Sequence, residues 1–217
     1  NLIRDWKNAF QHSIPIQGNF TLFNYINVTP SFQFTDRMYS NKVTRSWDNK
    51  LGKEVADTTY GFHNVYNWSL NLGLSTKLYG FYIPNRKIFG SKIIAVRHVI
   101  TPTVSFSYSP NFGARRYGYW DSYQKTDAKG NVTLVDYSPY QDQLYGVPGK
   151  GKSGLLSWDV SNNVEMKVRS DKDSLGYKKV SIIDELGFAM SYNAAAEVRR
   201  WSDLTMRLRL KLTKSYT

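Results

Sequence analysis

The sequence predicts an all-β protein of antiparallel strands, on the basis of its aromatic content, its lack of long apolar runs and its repeated alternation of apolar and polar residues. The 217 residues include 16 Tyr, 11 Phe and 6 Trp, while the mean hydropathy is −0.48. Aromatic side chains favour strands over helices. A membrane-spanning helix needs roughly 20 consecutive apolar residues, and polar or charged residues interrupt every candidate run. A helical membrane protein is therefore excluded.

The clearest strand pattern lies around position 72. Leu70, Leu72 and Leu74 occupy even positions there, while Asn71 and Ser75 occupy odd ones. Successive side chains of a strand point to opposite faces, so a strand separates the leucines from the polar residues. At helical spacing the same leucines would scatter around the axis. The stretch therefore predicts a strand with one apolar and one polar face.

The same alternation recurs along the chain, and we expect about seven strands. The seven runs cover residues 14–22, 26–34, 65–79, 96–108, 156–169, 186–193 and 204–213. In the last run Leu208 and Leu210 alternate with Arg207, Arg209 and Lys211. Leucines opposite basic residues indicate a strand that separates two unlike solvents.

The connections between the runs favour a barrel. They are a tight turn at 23–25, a long loop at 39–59, a medium connection at 83–91, a very long loop at 109–151, a short turn at 170–177 and a brief link at 195–202. The two longest fall on the same side, and outer-membrane barrels have short turns at one end and longer loops at the other. We predict that residues 1–217 form a segment of an antiparallel transmembrane β-barrel with long extracellular loops. Single-chain barrels close with an even number of strands, so we expect a fragment of a longer chain.

One motif imitates a nucleotide-binding loop. Residues 146–153 match the pattern G-x-x-x-x-G-K-[ST], and residues 180–185 resemble the apolar run ending in two acids that serves magnesium in ATPases. That chemistry requires a strand before the loop and a helix after it, so that backbone amides converge on the phosphates. Here the loop leads into the alternating run at 156–169. We interpret it as a flexible Gly/Lys-rich loop end.

Other candidate chemistry is weak. Asp184 and Glu185 are adjacent, and adjacent strand residues point to opposite faces, so we predict that they do not share a substrate. His12, His63 and His98 lie far apart and there is no cysteine, which leaves no metal-ligand spacing. We therefore predict no catalytic residue, no cofactor and no metal site, and a protein that is not an enzyme.

The charge points to an anionic partner. Lysine and arginine total 29 against 17 acidic residues, a net charge of +12, which suits lipid headgroups, nucleic acid or a phosphorylated glycolipid. If the leucine face meets lipid, the opposite face lines a wet lumen. The candidate lumenal anion-guiding residues are Arg97, Lys167, Arg169, Arg207, Arg209 and Lys211, and the candidate lipid-facing residues are Leu70, Leu72, Leu74, Leu208 and Leu210. Barrel interiors also hold compensating acids, and Asp159 and Glu165 are suited to that role.

Three stretches carry a family resemblance. They are QHSIPI at 11–16, RHVITPTVSFSYSPNF at 97–112, and IDELGFAMSYN at 183–193 followed by WSDL at 201–204. Together they resemble the barrel region of the LptD (OstA) family of lipopolysaccharide-assembly proteins, in its Bacteroidetes form. The resemblance spans most of the chain, and the 97–112 stretch is the most specific of the three.

The resemblance implies a translocon barrel in the outer membrane of a Gram-negative bacterium. Such a barrel receives lipopolysaccharide from periplasmic bridge components and releases it into the outer leaflet, with an LptE-like plug lipoprotein as partner. Membrane lipid is then a further partner, and nucleic acid is not. No residue of the family's lateral gate can be carried over to this sequence.

Two other functions fit the same alternation. A general porin or a TonB-dependent-type outer-membrane transporter would share every strand pattern above. A soluble all-β module could use basic, tyrosine-rich loops to bind glycans. A barrel segment should require detergent for extraction, whereas the module should be soluble alone.

Overall fold

The computed structural model describes residues 7–127 and 129–211, and the chain there is almost entirely strand. The elements in chain order are β1 (Ala9–Gln17), β2 (Phe20–Leu22), β3 (Ile26–Asp48), β4 (Lys53–Ser75), β5 (Leu78–Tyr82), α1 (Arg86–Phe89), β6 (Ile93–Ser109), a 3-10 turn (Arg115–Tyr117), β7 (Asp121–Thr126), β8 (Val132–Tyr137), β9 (Ser153–Arg169), β10 (Tyr177–Asn193) and β11 (Thr205–Arg209). The predicted all-β class with antiparallel sheets is confirmed.

Among these residues no helix has the length and apolar character needed to cross a membrane.

The main sheet has nine strands, seven of which lie in the order β1–β3–β4–β6–β9–β10–β11. The short strands β2 and β5 pair with β3 and β6, and β7 and β8 form a separate two-stranded sheet. The order follows the chain, as expected for strands joined by direct antiparallel connections. Over the described ranges β1 and β11 are the two ends of the sheet, so the predicted barrel is not closed there.

Residue contacts divide the chain into two compact units. Unit 1 comprises the described parts of Asn1–Gln17, Ser31–Leu70 and Tyr108–Ser153. Unit 2 comprises the described parts of Gly18–Pro30, Asn71–Ser107 and Gly154–Thr217.

The predicted tight turn at 23–25 is confirmed. The Tyr25 N–H donates to the Leu22 carbonyl at 3.0 Å, and Phe23 and Asn24 have φ values of 51° and 63°. Two central residues with positive φ match the right-handed twist of a hairpin. Phenylalanine rarely adopts this conformation.

The predicted long loop at 39–59 is wrong. β3 continues to Asp48 and β4 begins at Lys53, so a four-residue turn replaces the loop. The Asp48 carboxylate accepts hydrogen bonds from the Lys50 and Leu51 N–H groups, and Gly52 supplies the positive φ of 61°. Most side chains of the stretch are polar, so it lacks the alternation of apolar and polar residues from which the other strands are predicted.

The end of this β3–β4 hairpin is covered by the connection between β6 and β9. Val43 N–H donates to the Pro139 carbonyl at 2.9 Å, and Arg45 N–H donates to the Tyr137 hydroxyl at 3.0 Å. On the other strand Tyr66 N–H donates to the Tyr119 hydroxyl at 2.9 Å. The connection therefore satisfies strand-edge groups that would otherwise need water or another strand.

This long connection, predicted at 109–151, is ordered and contains the β7–β8 hairpin. Its aromatic side chains form the buried core of unit 1 with the β3–β4 hairpin. The fully packed members of that core are Tyr39, Val65, Phe112, Tyr119 and Tyr140. The rings of Tyr39 and Tyr140 stack with their centroids 5.6 Å apart, and the Tyr39 hydroxyl donates to the Gly146 carbonyl at 2.5 Å.

The remaining connections agree with the sequence prediction. Residues 83–92 hold α1, residues 170–176 form a short turn, and residues 194–204 link β10 to β11. The predicted run at 65–79 breaks between β4 and β5. The predicted run at 204–213 is a strand only over Thr205–Arg209, with Leu210 and Lys211 following it, and positions 212 and 213 lie outside the described residues.

Candidate charged face of the sheet

Strand register places the charged residues of β9, β10 and β11 on one face, here called the polar face. Arg207 pairs with Gly187, and Gly187 pairs with Ser161. Directly paired residues share a face, and so do residues two apart in one strand. The polar face therefore carries Arg207 and Arg209 beside Asp159 and Glu185.

The first cluster on this face is balanced by acids. The Arg207 Nη2 lies 2.6 Å from the Asp159 carboxylate, and its Nε lies 3.3 Å from Glu185. Arg209 reaches Glu185 at 3.3 Å and Asp184 at 4.0 Å. Two arginines thus meet three carboxylates. The compensation expected of Asp159 is confirmed in geometry, and these arginines present little free positive charge.

Gly187 makes the ion pair between Arg207 on β11 and Asp159 on β9 possible. A Cβ at this position would lie 2.8 Å from Arg207 Nη2 and 3.2 Å from its Cζ. Because Gly187 has no side chain, the Arg207 guanidinium lies flat over β10 and reaches Asp159 on β9.

Asp184 and Glu185 both contact Arg209, although adjacent strand residues are expected to point to opposite faces. That they do not share a substrate stays a prediction. The register between β10 and β9 shifts between Ser181 and Ile183 and again between Ile183 and Leu186. Such bulges re-aim side chains, and both carboxylates here lie within 4.0 Å of Arg209. Asn163 fills the irregularity, since its amide donates to the Asp184 carbonyl at 2.9 Å.

One polar residue marks this irregularity in the sequence, namely Asn162, which interrupts the apolar face of β9. Its amide donates to the Leu186 carbonyl at 3.1 Å, and its oxygen lies 3.1 Å from His98 Nε2 on β6. His98 likewise interrupts the apolar positions of its own strand. The side chains of His98 and Asn162 therefore form a hydrogen bond with one another, as polar groups shielded from water require.

The second cluster has an excess of cations. Arg97 Nη2 lies 2.5 Å from Glu165, as the expected compensation by Glu165 requires. Lys167 Nζ lies 4.7 Å from the ring centroid of Tyr177, and Arg169 pairs with that tyrosine. Sequence reasoning missed a fourth cation, Lys179, which pairs directly with Lys167. Alternation of Val180 and Ile182 with Lys179 and Ser181 could have found it.

The six predicted cations thus separate into two groups and one remainder. Arg207 and Arg209 belong to the balanced cluster, while Arg97, Lys167 and Arg169 lie with Lys179. Lys211 is exposed beyond the end of β11. Their guiding role stays a prediction.

The predicted lipid-facing leucines are accessible. Leu70, Leu208 and Leu210 are 40%, 57% and 47% exposed, and Leu72 and Leu74 are half-buried. Large apolar side chains exposed together mark a membrane or partner surface. Contact with lipid stays a prediction.

The loop that imitates a phosphate site lacks the required framework. It leads directly into strand β9, and Lys150 is held by Asp136 at 2.5 Å and lies over Trp120. The Gly151 N–H donates to the Asn111 side chain at 2.8 Å. The predicted absence of a helix after this loop is confirmed. These contacts tie the loop to earlier residues of the connection between β6 and β9, and the flexibility of the loop stays a prediction.

Within residues 7–127 and 129–211, no three His, Asp or Glu side chains gather closely enough to hold a metal ion.

The chain is an all-β protein whose antiparallel sheet has exposed leucines on one face and charged side chains on the other. The family model described as LptD protein matches residues 1–217. The chain therefore belongs to the LptD protein family, and the family resemblance is confirmed. Comparison with the curated proteins finds no match, and comparison with the solved structures finds none either.

Proposed function

We propose that the chain is a segment of an outer-membrane β-barrel that inserts lipopolysaccharide into the outer leaflet of a Gram-negative bacterium. Family membership supports lipopolysaccharide as the cargo. The observation that carries the barrel is the opposition of two faces in one sheet. Leu208 is exposed on β11, while Arg207 and Arg209 beside it form ion pairs on the polar face.

The exposed leucine face favours a membrane over water. Burying apolar surface stabilises a protein by roughly 25 cal/mol per Å², and a soluble β-sandwich would cover this face with a second sheet. Leu70 and Leu208 have no such cover and retain 40% and 57% of their exposure. Lipid is the cover that the family and the alternation support.

Strand length sets the orientation of the proposed barrel. A tilted strand crosses the bilayer in about 9–11 residues, whereas β3 and β4 have 23 residues each. Both strands therefore continue well beyond the membrane, toward the 49–52 turn. Outer-membrane barrels have short periplasmic turns and longer extracellular segments. The long connection between β6 and β9 is accordingly extracellular, and the short turns at 23–25 and 170–176 are periplasmic.

The polar face would line the path of the cargo. Lipopolysaccharide carries phosphates, and cations on a weakly screened wall attract phosphate. Lys167 and Arg169 supply this attraction near the periplasmic end, while Glu165 already holds Arg97 there. Arg207, Arg209 and Lys211 lie farther along the wall and act more weakly, because acids already hold the two arginines. Periplasmic bridge components and an LptE-like plug lipoprotein complete the assembly.

Depletion of the full-length protein in its native bacterium tests this proposal. We expect lipopolysaccharide to disappear from the cell surface and to accumulate on the inner side of the envelope, while the protein itself fractionates with the outer membrane. Unchanged surface lipopolysaccharide together with reduced solute uptake would replace the translocon with a porin or receptor-type transporter. Release of the protein without detergent would overturn the barrel.

A further inference from the structure

A cleft of about 210 Å³ lies on the polar face of unit 2, close to the 170–176 turn. Its lining residues are Phe81, Ala95, Val96, Arg97, Glu165, Met166, Lys167 and Lys179. Phe81 pairs with Arg97 across β5 and β6, so both side chains lie on the same face. Phe81 is 74% exposed. The cleft thus joins an exposed aromatic ring to a group of cations.

Two lysines face one another across this cleft. Lys167 of β9 and Lys179 of β10 are direct partners in the antiparallel register, a position that holds their Cβ atoms about 5 Å apart. Like charges in this position destabilise a sheet. Neither lysine forms an ion pair within the described part of the chain. The sheet therefore carries a repulsion that a bound anion would relieve.

The single carboxylate of the cleft does not neutralise the lysines. Glu165 is held by Arg97 at 2.5 Å, so these two charges cancel and leave both lysines in excess. Tyr177 offers Lys167 the face of its ring at 4.7 Å, and this contact leaves the charge in place. Asp171 and Asp173 lie in the exposed turn, and Asp184 of β10 accepts a hydrogen bond from the Ser181 hydroxyl.

We propose that this cleft binds a phosphate group carried by an amphiphile. The phosphate lies between Lys167 and Lys179, and the apolar part of the ligand covers Phe81 and Ala95. Lysine binds phosphate as a point charge with three rotatable donors, so two opposed lysines suit one multiply charged group. The inference deepens the proposed function and rests on it for the source of the ligand, since the cleft would then stand at the periplasmic entry of the path.

Binding to the purified full-length protein in neutral detergent tests the site. The ligands are monophosphoryl lipid A, the same glycolipid after enzymatic removal of its phosphate, and phosphatidylglycerol. The test variant is Lys167→Gln with Lys179→Gln. The matched control is Lys172→Gln with Lys178→Gln, which removes the same charge from the turn and from a position paired with Val168 on the opposite face.

We expect the test variant to bind monophosphoryl lipid A about tenfold or more weakly, since two charged contacts are lost. The control variant should bind monophosphoryl lipid A as tightly as the unaltered protein does. The dephosphorylated glycolipid should have the same affinity for the unaltered protein, the test variant and the control variant. Equal affinity of the test and control variants for monophosphoryl lipid A would overturn the site. The test variant should fold at least as well as the unaltered protein, because the repulsion between the lysines is removed.

The two ligand sources give different results. Lysine-dependent binding of the phosphorylated glycolipid in preference to phosphatidylglycerol supports a cargo site, and the reverse preference supports a site for membrane phospholipid. Either preference upholds the phosphate site. The proposed function is tested separately by the depletion experiment. If surface lipopolysaccharide stayed unchanged after depletion, the proposed function would fail, but the lysine-dependent binding of phosphate by the purified protein would still stand.

Discussion

Arg207 on β11 forms an ion pair at 2.6 Å with Asp159 on β9, although β10 lies between the two strands. The guanidinium crosses β10 at Gly187, where a Cβ would lie 2.8 Å from its Nη2. Because Gly187 has no side chain, a cation on β11 can reach a carboxylate on β9 across the strand between them. This arrangement fixes how much free positive charge the end of the sheet presents.

Gly187→Ala should break this ion pair. The flexible guanidinium can move aside, so we expect only the small destabilisation that follows from losing a partly exposed ion pair. In an Arg207→Ala background the same change should instead stabilise the protein by up to about 1 kcal/mol, because alanine restricts the unfolded chain. Urea unfolding of the four proteins in lipid vesicles measures the difference. The control is Gly154→Ala, whose Cβ would lie 3.6 Å from that of Ala194, and equal effects of Gly187→Ala in both backgrounds would contradict the role of Gly187.

Leu72→Arg should destabilise the barrel strongly. An arginine on the lipid face at mid-bilayer depth costs about 2–4 kcal/mol. Asn71→Arg is the matched control, since the adjacent residue of β4 points to the polar face. The fraction of heat-modifiable, folded protein in the outer membrane measures both. If the two substitutions had the same effect, β4 would not separate lipid from a lumen.

The Tyr119 hydroxyl should ionise at a higher pH than an ordinary tyrosine does. Burial raises its pKa to about 12 from an ordinary value of 10.0, so the folded state holds this proton more tightly than the unfolded state does. The resulting stability is complete below pH 10 and is lost as the pH rises toward 12. The tyrosinate absorbance that Tyr119→Phe removes should therefore appear near pH 12. A difference spectrum centred at pH 10 would show that the hydroxyl reaches water.

Tyr119→Phe should also loosen the long connection between β6 and β9. The Tyr66 N–H loses its acceptor, which costs about 1–3 kcal/mol when the group stays shielded from water. Proteolysis of the connection at neutral pH measures the effect. Tyr117→Phe is the control, since the Tyr117 hydroxyl bonds only to the exposed Arg116 side chain in the described chain.

Lys152→Ala should leave function intact, because the loop at 146–153 lacks the helix that a phosphate-binding loop needs. Lys150→Ala should have more effect, since Lys150 is bonded to Asp136 and lies over Trp120. Protease resistance of the connection and surface lipopolysaccharide measure the two variants. Saturable ATP binding that Lys152→Ala abolishes would contradict this prediction.

The strands that can be predicted from sequence are those whose two faces contact different environments. Leu70, Leu72 and Leu74 alternate with polar residues because the two faces of β4 differ there, and period two reveals such a difference. The extension of β3 from Ser40 to Asp48 was missed for the same reason. Apart from Val43 and Trp47 its side chains are polar, so no regular alternation marks it, although its backbone continues the sheet.

The charged site was predicted by residue but not by arrangement. Arg207 and Asp159 were both recognised as polar-face residues, yet their contact depends on Gly187 and on strand order. The convergence of Asp184 and Glu185 on Arg209 depends on shifts in register that Asn162 only hinted at. Such contacts follow from pairing between distant segments, which a single sequence does not determine.

The last prediction concerns the basic strand β11 and the residue that follows it. Changing Arg207, Arg209 and Lys211 to Gln should slow surface delivery of lipopolysaccharide and raise antibiotic permeability without lowering barrel abundance. Each cation attracts a passing phosphate where screening by solvent is weak, and the triple variant also leaves the three nearby carboxylates uncompensated. The matched control joins Arg207→Gln with Asp159→Asn, which removes the ion pair but keeps the net charge. If charge guides the cargo, the control delivers normally. Normal delivery by the triple variant at normal abundance would make this strand ordinary barrel wall.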